Sequence, residues 1–195
     1  MSELLPLMSY CLVMSGTPGP NNMMLTAAGA NFGYRAALPQ ILGILVGNVV
    51  LTLLCCLGLG EVFVAYPLVR QGLQLAGSLY LIVLAWQLSG ARLAEAGPAK
   101  RPPGFWHGVL FQGVNPKCWV KALTIASVFM PPQLTPLTGA LLVALIGAVV
   151  GFPAISVWAL FGMAIRRWLE KPAVQRAFNL FMGAVLLVLA LMFLR

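Results

Sequence analysis

Carboxylates are almost missing from this chain. It has no aspartate, four glutamates (Glu3, Glu61, Glu95 and Glu170) and a single histidine, His107. A metal centre of His and carboxylate ligands needs three or four of them converging, and a hydrolytic acid pair needs two acids at one place. This inventory offers neither, so no metal, cofactor or catalytic residue is expected. Charge of any sign is scarce at 8% of residues, while 61% are apolar. A soluble domain carries about 25% charged and 45–50% apolar residues. Such a chain cannot cover itself with a water-compatible surface. A soluble globule, a disordered chain and, despite the net charge of +8, a nucleic-acid-binding domain are excluded. So is a disulfide-framed module, because Cys11, Cys55 and Cys56 lie inside apolar runs. The lipid bilayer is the expected partner, and 195 residues are few enough for a single membrane domain.

A bilayer core about 30 Å thick takes a helix of about 20 apolar residues. Six runs qualify: Leu4–Ala28, Leu38–Gly60, Tyr66–Leu88, Phe105–Met130, Leu137–Phe161 and Phe178–Leu194. None alternates with period two, so the fold class is all-α integral membrane. The start lacks the basic region of a cleaved signal peptide. Residues 1–88 form a first three-helix half and residues 105–195 a second. The Pro-rich stretch 89–104 is a cytoplasmic linker. Lys and Arg set the orientation. Arg35, Arg92, Lys100, Arg101, Arg166, Arg167, Lys171 and Arg176 fall on one side, against Arg70 and Arg195 on the other. The protein is thus expected to be multi-pass with both termini periplasmic. Three spans per half make any repeat an inverted one. A single offset places Pro20 on Pro116, Gly43 on Gly139, and broken span one on broken span four. Paired breaks of this kind point to a secondary-transporter site near the midplane; two incidental proline kinks are the plainer alternative.

The first break reads Ser15-Gly16-Thr17-Pro18-Gly19-Pro20-Asn21-Asn22. Each proline removes a backbone donor and clashes with the preceding turn, so the helix must stop and restart. Pro20 suits the first turn of the new half-helix. That restarted N-terminus offers free N–H groups and a positive dipole end to an anion. Freed backbone groups survive at membrane depth only inside protein or beside a wet cavity. Hence Pro18, Gly19, Pro20, Asn21 and Asn22 are candidate substrate-binding residues. The second break reads Gln112-Gly113-Val114-Asn115-Pro116-Lys117, with Lys121 one turn on. At about 1.5 Å per residue, Lys117 sits roughly 18 Å into its span, a costly place without water or a partner. A substrate carboxylate would supply one; snorkelling to the headgroups is the alternative. Asn115, Pro116 and Lys117 complete the candidate site. Gly43-x-x-x-Gly47, followed by Asn48, reads as close helix packing within the monomer. Gln40, Gln74 and Gln112 read as hydrogen-bonders between helices. His107 and Glu61 read as residues at span ends, and Trp86, Trp106 and Trp168 as interface anchors.

The Pro-Gly-Pro-Asn-Asn segment with Gly33-Tyr34-Arg35, Gly43 and Gly47 resembles the first signature of the LysE/RhtB family of amino-acid exporters. Asn115-Pro116-Lys117 resembles its second. The likeness spans nearly the whole chain and is nearest the cysteine/O-acetylserine exporter branch. It implies a secondary transporter of the bacterial inner membrane that exports small amino acids or derivatives, of cysteine/O-acetylserine or homoserine/threonine type. It also implies protons as the coupling ion, by antiport. Many members carry an acidic residue within a span, and no position here matches it. A homo-oligomer is compatible with this reading. Two other functions are compatible with the residues alone: a membrane enzyme built on a Ser/Lys pair, drawing on Ser15, Thr17, Cys118 or Lys117, and a non-transporting assembly subunit.

Overall fold

The computed structural model describes residues 4–59, 65–90, 103–169 and 171–193. Among them the regular structure is helical, with no strand. The helices are α1 (Leu4–Gly16), α2 (Pro20–Phe32), α3 (Tyr34–Leu54), α4 (Pro67–Gly90), α5 (Phe105–Val114), α6 (Pro116–Val128), α7 (Pro136–Leu169) and α8 (Pro172–Phe193). A π-helical turn, Cys55–Leu59, closes α3. All four glutamates, Arg195 and most of the 89–104 linker, including Arg92, Lys100 and Arg101, lie outside the described residues, as do the side chains of Arg70 and Gln74.

Both helices expected to break do so at their prolines. α1 stops at Gly16 and α2 restarts with Pro20 in its first turn after an extended Gly19. α5 stops at Val114, and α6 restarts at Pro116 with Asn115 as its cap. The two restarted helices are each 13 residues long. Gly33 alone joins α2 to α3, at φ 81°, a left-handed backbone that costs other residues about 1–2 kcal/mol. α7 runs eight residues further than the apolar pattern indicated, to Leu169. Arg166 and Arg167 therefore sit in its last turn rather than in a connection. Cations there meet the negative end of the helix dipole, which is why the helix can carry them.

Glycine sets how closely the helices approach. A Cβ on Gly29 of α2 would land on the Ala159 carbonyl of α7, and one on Gly162 would land on the Thr26 carbonyl. A Cβ on Gly43 would meet the Phe105 carbonyl, and one on Gly47 would lie 2.6 Å from Gln112 Cγ. The Gly43-x-x-x-Gly47 face thus packs on α5 inside the monomer. α2, α3 and α7 share a core of Leu25, Ala28, Ala37, Ile41, Ile44, Ile155 and Ala159. α4 and α8 enclose another with Leu81, Ala85, Met182 and Leu186.

Among the described residues, large apolar side chains cover much of the outer surface. Leu42, Val46, Val50 and Leu54 form an exposed stripe along α3, one turn apart, and Leu137, Leu141, Leu145 and Val149 form another along α7. Continuous apolar stripes of this length are not tolerated against water; they suit lipid. Two helical stretches, Tyr34–Leu59 and Pro136–Trp168, are long and apolar enough to cross a bilayer unaided. Trp86, Trp106 and Trp168 are largely exposed, as anchoring side chains would be.

Candidate functional site

The two breaks meet. Asn21 Nδ2 donates to Gln112 Oε1 at 2.9 Å, and Gln112 Nε2 donates back to Asn21 Oδ1 at 3.2 Å. Gln112 is held for this role by a second bond from Nε2 to the Gly108 carbonyl, 2.7 Å, and its Oε1 also accepts from Cys118 Sγ at 2.9 Å. This reciprocal amide pair fastens the start of α2 to the end of α5.

Breaking α1 strands its last carbonyls, and buried backbone acceptors must find donors elsewhere. Side chains supply them here. Asn22 Nδ2 donates to both Ser15 O (2.8 Å) and Thr17 O (2.7 Å). Trp158 Nε1 of α7 reaches Gly16 O at 3.2 Å. Lys117 crosses from the second break and donates to Thr17 O (2.9 Å), Thr17 Oγ1 (2.8 Å) and Pro18 O (3.1 Å). Its ammonium thus sits in a cradle of three oxygens beyond the C-terminus of α1, where the dipole end is negative. Gly19 makes the crossing possible, because a Cβ there would lie 3.0 Å from Lys117 Cδ. The first break itself is thus a partner of Lys117. At the second break Asn115 performs the corresponding task, its Oδ1 accepting the Lys117 backbone N–H at 3.1 Å.

A cavity lies between the breaks. Gly19, Pro20, Asn21, Asn22, Asn115 and Lys117, all candidates from the sequence, line it. Pro18 contributes its carbonyl to the lysine cradle, and the Pro116 ring turns toward Gly77 of α4. The wall also includes residues that sequence spacing did not assign to it: Met14, Ser15, Asn48, Cys118, Lys121 and Ile155. Lys121 is buried and donates to Ser15 Oγ at 3.1 Å. One clue to it was legible, since Lys121 shares a helix face with Lys117. Asn48 and Ile155 arrive from α3 and α7 by tertiary packing alone. The free volume is about 30 Å³, room for about two waters and too little for an amino acid. The cavity is not sealed, because Thr17 and Pro18 beside it are exposed.

The formal charges around it have one sign. Two lysines and the positive ends of two restarted helices border the cavity, while none of the described residues carries a carboxylate. Such a chamber favours an anion. Among the described residues no cluster of His, Cys, Asp or Glu has the makings of a metal site. His107 is exposed and stacks on Phe111, ring planes 6° apart. Gln40 is fully buried and its amide has no partner among the described residues.

Two interrupted helices meeting at a polar chamber, inside a bundle with a lipid-compatible exterior, are the architecture of a membrane transporter. The chain belongs to the LysE type translocator family, whose model matches residues 12–195. It is similar to the cysteine/O-acetylserine efflux proteins of Salmonella typhimurium strain LT2 and Escherichia coli strain K12. Each is 30% identical over 159 residues, covering 82% of either chain. No solved structure matches. Family membership makes the chain a transporter rather than an enzyme.

Proposed function

We propose that this protein exports small amino acids or their derivatives across the bacterial inner membrane in exchange for protons, with cysteine and O-acetylserine as the first candidates. The observation that carries the reading is the cavity bordered by Lys117 and Lys121 between the two breaks. A zwitterion's carboxylate docks on the restarted N-termini of α2 and α6 with Lys121 as counter-charge. Asn21 reads its polar groups, while Asn22 and Asn115 hold the broken backbone in shape. Pro18, Gly19, Pro20 and Pro116 set where each helix stops and starts.

The spans form two inverted three-helix halves around this chamber, with both termini periplasmic. Two features support that arrangement. α2 and α6 are equal in length and each begins with proline. Each broken helix also packs on the long helix of the other half: α1 and α2 on α7, α5 and α6 on α3. Rocking one half against the other opens the chamber to either side in turn. The excess of Lys and Arg on one set of loops supports the orientation.

The test is flux. Protein in liposomes loaded with radiolabelled cysteine or O-acetylserine is expected to release label when a pH gradient is imposed. Asn21→Ala, Asn115→Ala and Lys117→Ala are each expected to slow that release at least tenfold. Parental rates in all three inserted variants would remove the site assignment.

A further inference from the structure

The cradle that holds Lys117 is a general ammonium site. Three oxygens, Thr17 O, Thr17 Oγ1 and Pro18 O, lie 2.8–3.1 Å from one Nζ, one for each of the three hydrogens such a group donates. Two of them are carbonyls released by the helix break. A zwitterionic amino acid carries the same –NH₃⁺ group. Lys117 and Gly19 line the chamber, the exposed Thr17 and Pro18 adjoin it in sequence, and no described residue offers a carboxylate to a substrate ammonium. The lysine already there occupies the acceptors that substrate would need.

We propose that Lys117 is the proton-coupling residue, and that its ammonium and the substrate's ammonium compete for this cradle. The inference rests on the export reading above. In the empty state the protonated lysine fills the cradle. An arriving amino acid takes the three oxygens, and Lys117 leaves as the neutral amine. The only covalent bond broken is one N–H bond, and its proton goes to water on the cytoplasmic side. After the amino acid departs on the other side, Lys117 takes one proton from water there and returns to the cradle. Each cycle moves one amino acid out and one proton in.

Charge count gives the direction. A lysine that left still protonated would stand beside Lys121 and the incoming ammonium, three cations sharing one substrate carboxylate. Other titratable groups face α6 without relieving this. Tyr10 and Cys11 approach from α1, Cys55 and Cys56 from the π-helical turn, and Cys118 lies on α6 itself. None is an acid at neutral pH. α5 contributes His107, which is exposed, and α4 carries one charged residue, Arg70. A shared site also explains how a chain without a carboxylate in its described helices couples to protons.

The experiment compares two uptake measurements on the same vesicles: radiolabelled cysteine driven by a pH gradient, and cysteine counterflow with no gradient. The ratio of the two is expected to exceed about fivefold for the parent and to fall to about one for Lys117→Met. Lys117→Arg keeps the charge but cannot release it, so it is expected to abolish both activities, where a merely structural cation would be rescued. A parental ratio in Lys117→Met, or full activity in Lys117→Arg, would overturn the proposal. Should the variants not fold, the parent decides. Cysteine added at pH 6.5 to detergent-purified protein in weak buffer is expected to release about one proton per molecule bound. Binding without proton release would overturn the coupling role alone. A parent with no cysteine or O-acetylserine counterflow would instead overturn the export reading, and the inference with it.

Discussion

Replacing Asn22 with leucine removes the donor that serves the first break twice. Asn22 Nδ2 gives one hydrogen to Ser15 O and the other to Thr17 O. Without it, Thr17 O keeps Lys117, whereas Ser15 O has no second donor among the described residues. A buried acceptor left unsatisfied costs about 1–3 kcal/mol. Polar bonds between helices in membranes average about 0.6 kcal/mol and reach about 1.7. The two scales together give a loss of about 2 kcal/mol. For a chain of this size that is a fall in melting temperature of about 4–8 °C. Fluorescence-detected size exclusion after heating in mild detergent reads it directly. The control is Asn31→Leu, because Asn31 makes the same amide-to-carbonyl bond to Ala27 O but is exposed. Its loss is expected to stay below about 0.5 kcal/mol, since the surroundings supply a substitute. Equal shifts in the two variants would refute the claim that Asn22 satisfies the carbonyls stranded by the break.

Asn21→Ala and Gln112→Ala are expected to be non-additive in the same assay, with a coupling of about 1 kcal/mol, since both hydrogen bonds of the pair are lost in either variant; additive shifts would separate the two breaks. Gly29→Ala drives a Cβ into the Ala159 carbonyl and is expected to cost about 1–3 kcal/mol. Gly113→Ala, on an open helix face, should instead gain up to about 1 kcal/mol, so equal effects would deny the close contact of α2 with α7. His107→Ala is expected to leave gradient-driven uptake and its pH dependence unchanged, because the imidazole is exposed and does not line the chamber. A changed pH profile would place the coupling proton there.

Local chemistry made the breaks legible. Proline removes a backbone donor and crowds the preceding turn, so Pro18, Pro20 and Pro116, set among Gly and Asn, marked both interruptions, whereas Pro39 and Pro153 are carried inside α3 and α7. The apolar runs marked the helices, although α7 outruns its own run because a helix C-terminus accepts arginine. What sequence could not give was the pairing across the molecule. Nothing local says that Lys117 would reach the Thr17 and Pro18 carbonyls rather than the headgroups. That contact depends on two segments a hundred residues apart lying side by side. Gln112 could be read as a hydrogen-bonder between helices, but its partner Asn21 could not be named. Asn48 and Ile155 carried no signal, because only the packing of α3 and α7 brings them to the chamber. The size of the cavity was equally invisible, being a matter of volume rather than pattern.

The most direct test of the account is a cross-link between the breaks. Asn21 Nδ2 lies 3.6 Å from the thiol of Cys118. Cysteine introduced by Asn21→Cys, with Cys11, Cys55 and Cys56 replaced by alanine, should therefore form a disulfide with Cys118 under mild oxidation. A protease site placed in the 89–104 linker reports it: after cleavage the two halves should stay together on a denaturing gel and separate on reduction. Free separation before reduction, no slower than for Asn31→Cys in the same background, would contradict a site built where the two broken helices meet.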